Sequence, residues 1–196
     1  MKKNILLAFA QTVMMLVTTC SLAQQGLAVN QQAPEFAALD QNGKTISLKN
    51  LLNHGAVVLI FYRGEWCPFC NKRLMELEKS LSQFTSRGAS VVAVTPQKPE
   101  YIVKTIQKTN AHFSILHDAG LKIMKSYDVA YKVDGRALER YKKMSLDFNV
   151  INGEENSENL PVPAVYVINK QGKIVYRYFD IDYRNSAPIE VILKYL

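Results

Sequence analysis

The stretch Ala56-Val57-Val58-Leu59-Ile60-Phe61-Tyr62-Arg63-Gly64-Glu65-Trp66-Cys67-Pro68-Phe69-Cys70 decides the fold of this chain. Its first seven residues are a continuous apolar run of strand length. A run without polar alternation predicts a strand buried on both faces, as in a sheet covered by helices on either side. After the polar turn Arg63-Gly64-Glu65 a helical pattern begins at Pro68, whose missing N–H costs nothing at a first helical position. Leu74, Leu77, Leu81 and Phe84 mark one face of that helix, and Gly88 ends it. Cys67 and Cys70 therefore stand at a helix start, where unpaired N–H groups and the positive end of the helix dipole favour a thiolate. The thiolate is the nucleophile of disulfide exchange, and a thiol one turn further on is placed to resolve a mixed disulfide. Cys67 is the expected nucleophile, exposed and acidic, and Cys70 the expected resolving thiol.

Working outward, Phe36 to Leu39 and Lys44 to Ser47 read as a β-hairpin across Asn42-Gly43. Ser47 is a candidate cap for a short helix, Leu48 to Asn53. Downstream, Ser90 to Thr95 is a second buried strand. Pro99 to Thr109 is a helix with Ile102, Val103 and Ile106 inward, and Phe113 to Leu116 is a third strand. Asp118 caps a helix containing Leu121, Ile123 and Met124, and Ala137 to Met144 is helical. Asn152 to Asn159 is a polar loop. Ala164 to Ile168 and Ile174 to Phe179 form a second hairpin, and Ser186 caps a last helix, Ala187 to Leu196. Strands alternating with helices, then a closing hairpin and helix, predict an α/β sandwich with a mixed central sheet. The cysteine pair falls at the C-terminal edge of a central strand, where open α/β sheets hold their sites.

The N-terminus bears on how many cysteines matter. Lys2 and Lys3 precede a mostly apolar stretch from Ile5 to Val17, and Ser21-Leu22-Ala23 offers small residues before Gln24. Residues 1–23 read as a secretory signal peptide, leaving 24–196 as one domain and an exported, periplasmic or otherwise extracytoplasmic protein. The stretch is shorter than the roughly 18 residues of a spanning helix, so no stable membrane insertion is expected after cleavage. Lipid attachment at Cys20 is the alternative, although Val17-Thr18-Thr19 matches a lipoprotein signal poorly. Cleavage after Ala23 removes Cys20 and leaves two of the three cysteines. One bridge across two intervening residues constrains almost nothing in the unfolded chain, so its value is chemical rather than structural.

Composition narrows the function classes. Hydrophobic residues are 48% and charged residues 21% of the 196, ordinary for a globular protein. The net charge of +7 is scattered, with no basic run beyond short pairs, so no nucleic-acid partner is expected. Zinc is the competing use of the cysteines: His112 and His117 have the H-x₄-H spacing of zinc ligands. They flank a predicted strand far from Cys70, and the reading adopted is no metal and no cofactor. Trp66 is placed either as a lid over the dithiol or as apolar packing. Arg63 either favours the thiolate or sits idle on the surface. Glu65 opposes the helix end, since a nearby carboxylate raises a thiol pKa.

Ala33-Pro34-Glu35-Phe36, the segment Tyr62 to Asn71, and Leu160-Pro161-Val162-Pro163-Ala164-Val165-Tyr166-Val167-Ile168 followed by Gly172 carry a family resemblance. From about Ala33 to its end the chain resembles the peroxiredoxin-like members of the alkyl hydroperoxide reductase/thiol-specific antioxidant (AhpC/TSA) family, in the thioredoxin-like superfamily. The resemblance implies a thioredoxin-like sandwich and a thiol-dependent oxidoreductase. Its partners would be protein or small-molecule disulfides, or hydroperoxides, with an external dithiol donor. It also implies that Pro163 is a cis-proline beside the cysteines, presenting the Val162 backbone to an extended thiol partner. Two departures weigh against a peroxidase, in which Cys67 would be the peroxidatic thiol. Where typical peroxiredoxins place a Thr and a Pro, three and seven residues before that cysteine, this chain has Gly64 and Ile60. The Arg expected near the start of the later strand is replaced, at about that place, by Pro163. Mass spectrometry of the mature protein is expected to find its N-terminus at Gln24. An intact Met1, or a lipid-modified Cys20, overturns the signal-peptide reading.

Overall fold

The computed structural model describes residues 25–196. The signal-peptide reading of residues 1–23, and Cys20 with it, lies outside the described residues. A hairpin of β1 (Ala37–Leu39) and β2 (Thr45–Ser47) leads into α1 (Leu48–Leu52), whose first turn is capped by the Ser47 hydroxyl. The central sheet uses β3 (Val57–Phe61), β4 (Ser90–Thr95), β5 (Ser114–His117), β8 (Ala164–Ile168) and β9 (Ile174–Phe179) in the order β5-β4-β3-β8-β9. β3, β4 and β5 run parallel, and β8 and β9 are antiparallel to their neighbours. The mixed sheet and the N-terminal hairpin are those expected of a thioredoxin-like sandwich.

The unbroken apolar runs follow from this layering. In β3, Val58 and Ile60 join a core with Leu74, Leu77, Phe84 and Ile102. The alternate residues Val57, Leu59 and Phe61 join a second core on the opposite face, with Leu48, Met124 and Tyr127. A strand whose side chains alternate between two cores has no polar face to show. The outer edge of β5 is covered by the hairpin loop. The Gln41 side chain accepts from Ile115 N–H at 2.8 Å and donates to Phe113 O, and so pairs an edge left open by the sheet.

Several expected elements differ in extent. The helix after the cysteines breaks at Ser80 (φ −104°, ψ 5°) into α2 (Pro68–Lys79) and α3 (Leu81–Thr85). α4 (Pro99–Thr109) turns Ile102, Thr105 and Thr109 inward and leaves Val103 exposed. The inner stripe thus follows i, i+3, i+7 and accepts threonines, because the Thr105 and Thr109 hydroxyls bond back to Tyr101 O and Thr105 O. A short 3-10 turn, Ala119–Leu121, precedes α5 (Lys122–Ser126), and the Asp118 carboxylate caps it through Ile123 and Met124 N–H. The last helix is α8 (Ile189–Ile192) with a 3-10 turn, Leu193–Tyr195, and not Ala187 to Leu196. Pro188 is itself extended and disfavours helix at Ala187, so Ser186 lies too far upstream to cap it.

One unit was foreseen only in its helix at Ala137 to Met144. β6 (Ala130–Lys132) and β7 (Asn159–Pro161) pair, and between them lie α6 (Gly135–Lys143) and α7 (Phe148–Asn152). This insertion builds its own small core from Val133, Phe148, Ile151 and Leu160. The polar loop that closes it is latched inward. Asn156 is fully buried and donates to Pro96 O (2.7 Å) and Asp118 O (3.0 Å). Leu77 is fully buried between α2 and the sheet. Leu77→Ala is expected to lower unfolding free energy by about 2–5 kcal/mol, read by chemical denaturation, while the far-UV circular dichroism stays unchanged.

Candidate active site

β3 ends at Phe61, and the chain turns through Tyr62 to Trp66 before α2 begins. Tyr62 N–H still pairs with Val94 O (3.1 Å), so the turn starts from the sheet itself. Cys67 N–H closes the turn on Gly64 O at 3.1 Å. Gly64 has φ +151°, and a Cβ there would come within 2.7 Å of both the Gln97 side chain and Trp66 Nε1. Only glycine fits. The Gln97 side chain also accepts from Glu65 N–H (2.8 Å), and Asn71 Nδ2 donates to Glu65 O (2.7 Å), so the turn is held from both sides.

Cys67 is the N-cap of α2. Its Sγ accepts from Cys70 N–H at 3.4 Å, and the two sulfurs of these free thiols lie 2.7 Å apart. This geometry divides the two thiols. The hydrogen bond from Cys70 Sγ is the main influence holding the Cys67 pKa down at about 7. Burial opposes it, and the Cys70 and Phe69 N–H groups and the Arg63 charge assist it. Cys70 is pushed well above the usual thiol range, first because it gives its hydrogen to Cys67 and then because it is buried.

Exposure of Cys67 is the expectation that fails: the residue is 1% exposed and Cys70 6%. An aromatic cluster adjoins the turn. Trp66 packs on Tyr141 and Phe148 of the insertion, each with ring centroids 5.3 Å away. The Arg63 guanidinium lies 4.8 Å from the Trp66 ring centroid and 4.0 Å from that of Tyr183, and donates to the Tyr141 hydroxyl. Arg63 is 2% exposed, so its reading as an idle surface residue is corrected. Trp66 packs the turn against the insertion. The Glu65 carboxylate pairs with the Lys108 ammonium.

The Val162–Pro163 bond is trans, as are all peptide bonds among the described residues, and the expected cis-proline is corrected. Val162 N–H is already paired with Val129 O (2.8 Å), because the insertion returns through β7 alongside β6. It is not a free donor for an extended partner. Pro163 does reach the site: with Cys70, Phe69 and Tyr183 it lines a cavity of about 200 Å³. His112 pairs with Glu78 (2.7 Å), and His117 Nδ1 lies 2.7 Å from Gln97 O. Among the described residues, no group of three or more His, Cys, Asp or Glu side chains is arranged to hold a metal. The sequence did not single out Gln97, Tyr183 or Arg73. Gln97 and Tyr183 come from distant elements, and Arg73 lies one turn beyond Cys70 on α2 and lines the same cavity. Tyr141, read from sequence as a packing tyrosine, does pack, on Trp66 and Phe148.

The sequence profile described as "AhpC/TSA family" matches residues 29–177. Among curated relatives, the chain is 25% identical to the thiol-disulfide oxidoreductase ResA of Bacillus subtilis, over 85% of this chain and 82% of that protein. It is 27% identical to the chloroplastic peroxiredoxin Q of Populus jackii, over 85% of this chain and 66% of that protein. Among solved structures, the peroxidoxin BcpB of Mycobacterium tuberculosis superposes with a TM-score of 0.65 at 19% identity, over 86% of this chain and 95% of that one. The thioredoxin domain of a thiol-disulfide oxidoreductase from Bacteroides vulgatus gives 0.59 at 19%, over 86% and 97%. These two likenesses show the fold.

The rate of alkylation of the dithiol by iodoacetamide is expected to level off above about pH 7 and to fall about tenfold per unit below it, as Cys67 takes up its proton. Arg63→Met removes a nearby positive charge, so the inflection moves upward. An unchanged inflection in that variant removes Arg63 from the tuning of Cys67.

Proposed function

Because the chain belongs to the AhpC/TSA family, whose model covers residues 29–177, we propose that this thiol-dependent oxidoreductase exchanges disulfides through Cys67 and Cys70. One observation carries the reading. Two sulfurs lie 2.7 Å apart at a helix N-terminus, Cys70 donating to Cys67, with one thiol acidified to about 7 and its neighbour pushed the other way. The division suits a nucleophile and its resolving partner.

Cys67 is 1% exposed, so the reaction begins with local opening of the cover over its Sγ. The Cys67 thiolate then attacks a substrate disulfide RS–SR. A Cys67–SR bond forms, the RS–SR bond breaks, and RS⁻ leaves to take up a proton. Cys67 Sγ no longer carries a charge for Cys70 to hydrogen-bond, so the chief cause of the raised Cys70 pKa is gone. Cys70 then loses its proton, attacks Cys67 Sγ and expels the second RS⁻. Two electrons have passed to the substrate, and the pair is left as a disulfide, which an external dithiol donor reduces. Closing that bond requires well under an ångström of approach between sulfurs already in contact.

A peroxidase reading is favoured by the similarity to a peroxiredoxin Q. In it a hydroperoxide oxidises Cys67 to the sulfenic acid, and Cys70 condenses with it, releasing water. Gly64 weighs against it. At the place of the peroxide-orienting Thr, any side chain collides with Gln97 and Trp66. Arg63 is engaged by Tyr141 and the aromatic rings. Export rests on the signal-like pattern of residues 1–23, and among the described residues no helix is long and apolar enough to cross a membrane.

Cys67→Ser is expected to abolish reduction of a model disulfide, and Cys70→Ser to accumulate a mixed disulfide at Cys67, visible as an adduct mass. Disulfide reduction at the normal rate by Cys67→Ser ends the proposal. Faster consumption of hydroperoxide than of disulfide by the same sample moves the assignment to the peroxidase.

A further inference from the structure

The cavity of about 200 Å³ beside Cys70 contains a charge that the exchange chemistry leaves unused. Arg73 lines it, three residues after Cys70 on α2, and residues so spaced share one helix face. Its side chain is 9% exposed. Only Nη1 has a partner, Glu76 Oε2 at 3.4 Å, a long contact to a carboxylate that is itself 39% exposed. Nε and Nη2 are buried with no acceptor among the described residues. Together they carry three of the five N–H bonds of a guanidinium, aligned as the fork that grips a carboxylate. A buried cation with donors unmet is costly, and burial already lowers its pKa. Lys72 and Arg184 also line the cavity, so Glu76 is outnumbered there, although Arg184 is paired with Asp182. Tyr178, Tyr183 and Phe69 supply apolar walls. The volume is slightly above the ~150 Å³ that accommodates a benzene-sized group, which suits a small molecule or one end of a larger one.

We propose that this cavity is a carboxylate subsite, in which Arg73 holds the carboxylate of a small disulfide whose sulfurs extend past Cys70, which lines the cavity, to Cys67, which does not. The inference rests on the disulfide-exchange reading and adds the class of substrate. The reaction is the one written above, with R a short chain ending in a carboxylate, two electrons transferred and two RSH released.

The test compares 3,3′-dithiodipropionate with its neutral diamide in the intact protein, supplied with a dithiol donor. The wild type is expected to favour the dicarboxylate in kcat/KM by about tenfold or more. Arg73→Met should abolish the preference, read as the ratio of the two kcat/KM values within the variant, and Arg73→Lys should retain part of it. A second measurement needs no turnover: propionate, but not propionamide, should slow iodoacetamide alkylation of the wild type and not of Arg73→Met. Equal kcat/KM for the two disulfides in the wild type, or a preference that survives Arg73→Met, overturns the subsite. Protection by propionate without reduction of either disulfide leaves the carboxylate site standing and overturns the exchange reading.

Discussion

The hydrogen bond between two sulfurs at the start of α2 is the interaction on which the chemistry of this protein depends. A single thiol capping a helix is moderately acidic because unpaired N–H groups and the helix dipole stabilise its anion. Here the neighbouring thiol adds its own hydrogen, and the two groups separate into a thiolate and a proton holder. The arrangement needs Cys67 extended at the N-cap and Cys70 one turn later, which the Pro68 start enforces. The central strand, buried on both faces, fixes where that helix begins.

The surroundings of Cys67 bear on which thiol chemistry its site can accommodate. The turn before Cys67 is packed so closely against Gln97 and Trp66 that position 64 has room for backbone alone. A hydroxyl side chain that would orient a peroxide has no place in it. Charge is supplied from Arg63, sealed among Trp66, Tyr141 and Tyr183 and acting on Cys67 at a distance. Two of those rings come from elements remote in sequence: Tyr141 from the insertion and Tyr183 from the segment after β9. The relatives include a thiol-disulfide oxidoreductase and a peroxiredoxin, so family membership alone leaves the reaction open.

The hydrophobic layering was legible residue by residue. β4 and α4 have the extents that a buried apolar run and helical spacing predict, and β3 lies within its apolar run. The misses have a common cause in contacts between distant segments. β6 and β7 are three residues each and carry no periodic signal, and they exist because they pair across an insertion. Asn152 and Asn156 read as solvent-facing loop residues, yet both are fully buried and hydrogen-bonded to backbone carbonyls.

The same division runs through the site. Sequence by itself determined the strand, the turn, the helix start and the two thiols within it, because these depend on local spacing and on the backbone chemistry of a helix end. Only the tertiary structure decided that Cys67 is sealed, that Arg63 is caged by aromatic rings, that the Val162 N–H is already taken, and that Arg73 faces a cavity beside Cys70. Each of those facts depends on which distant side chain fills the space next to a residue. Burial and pairing are properties of the packed assembly, and no stretch of neighbours along the chain encodes them.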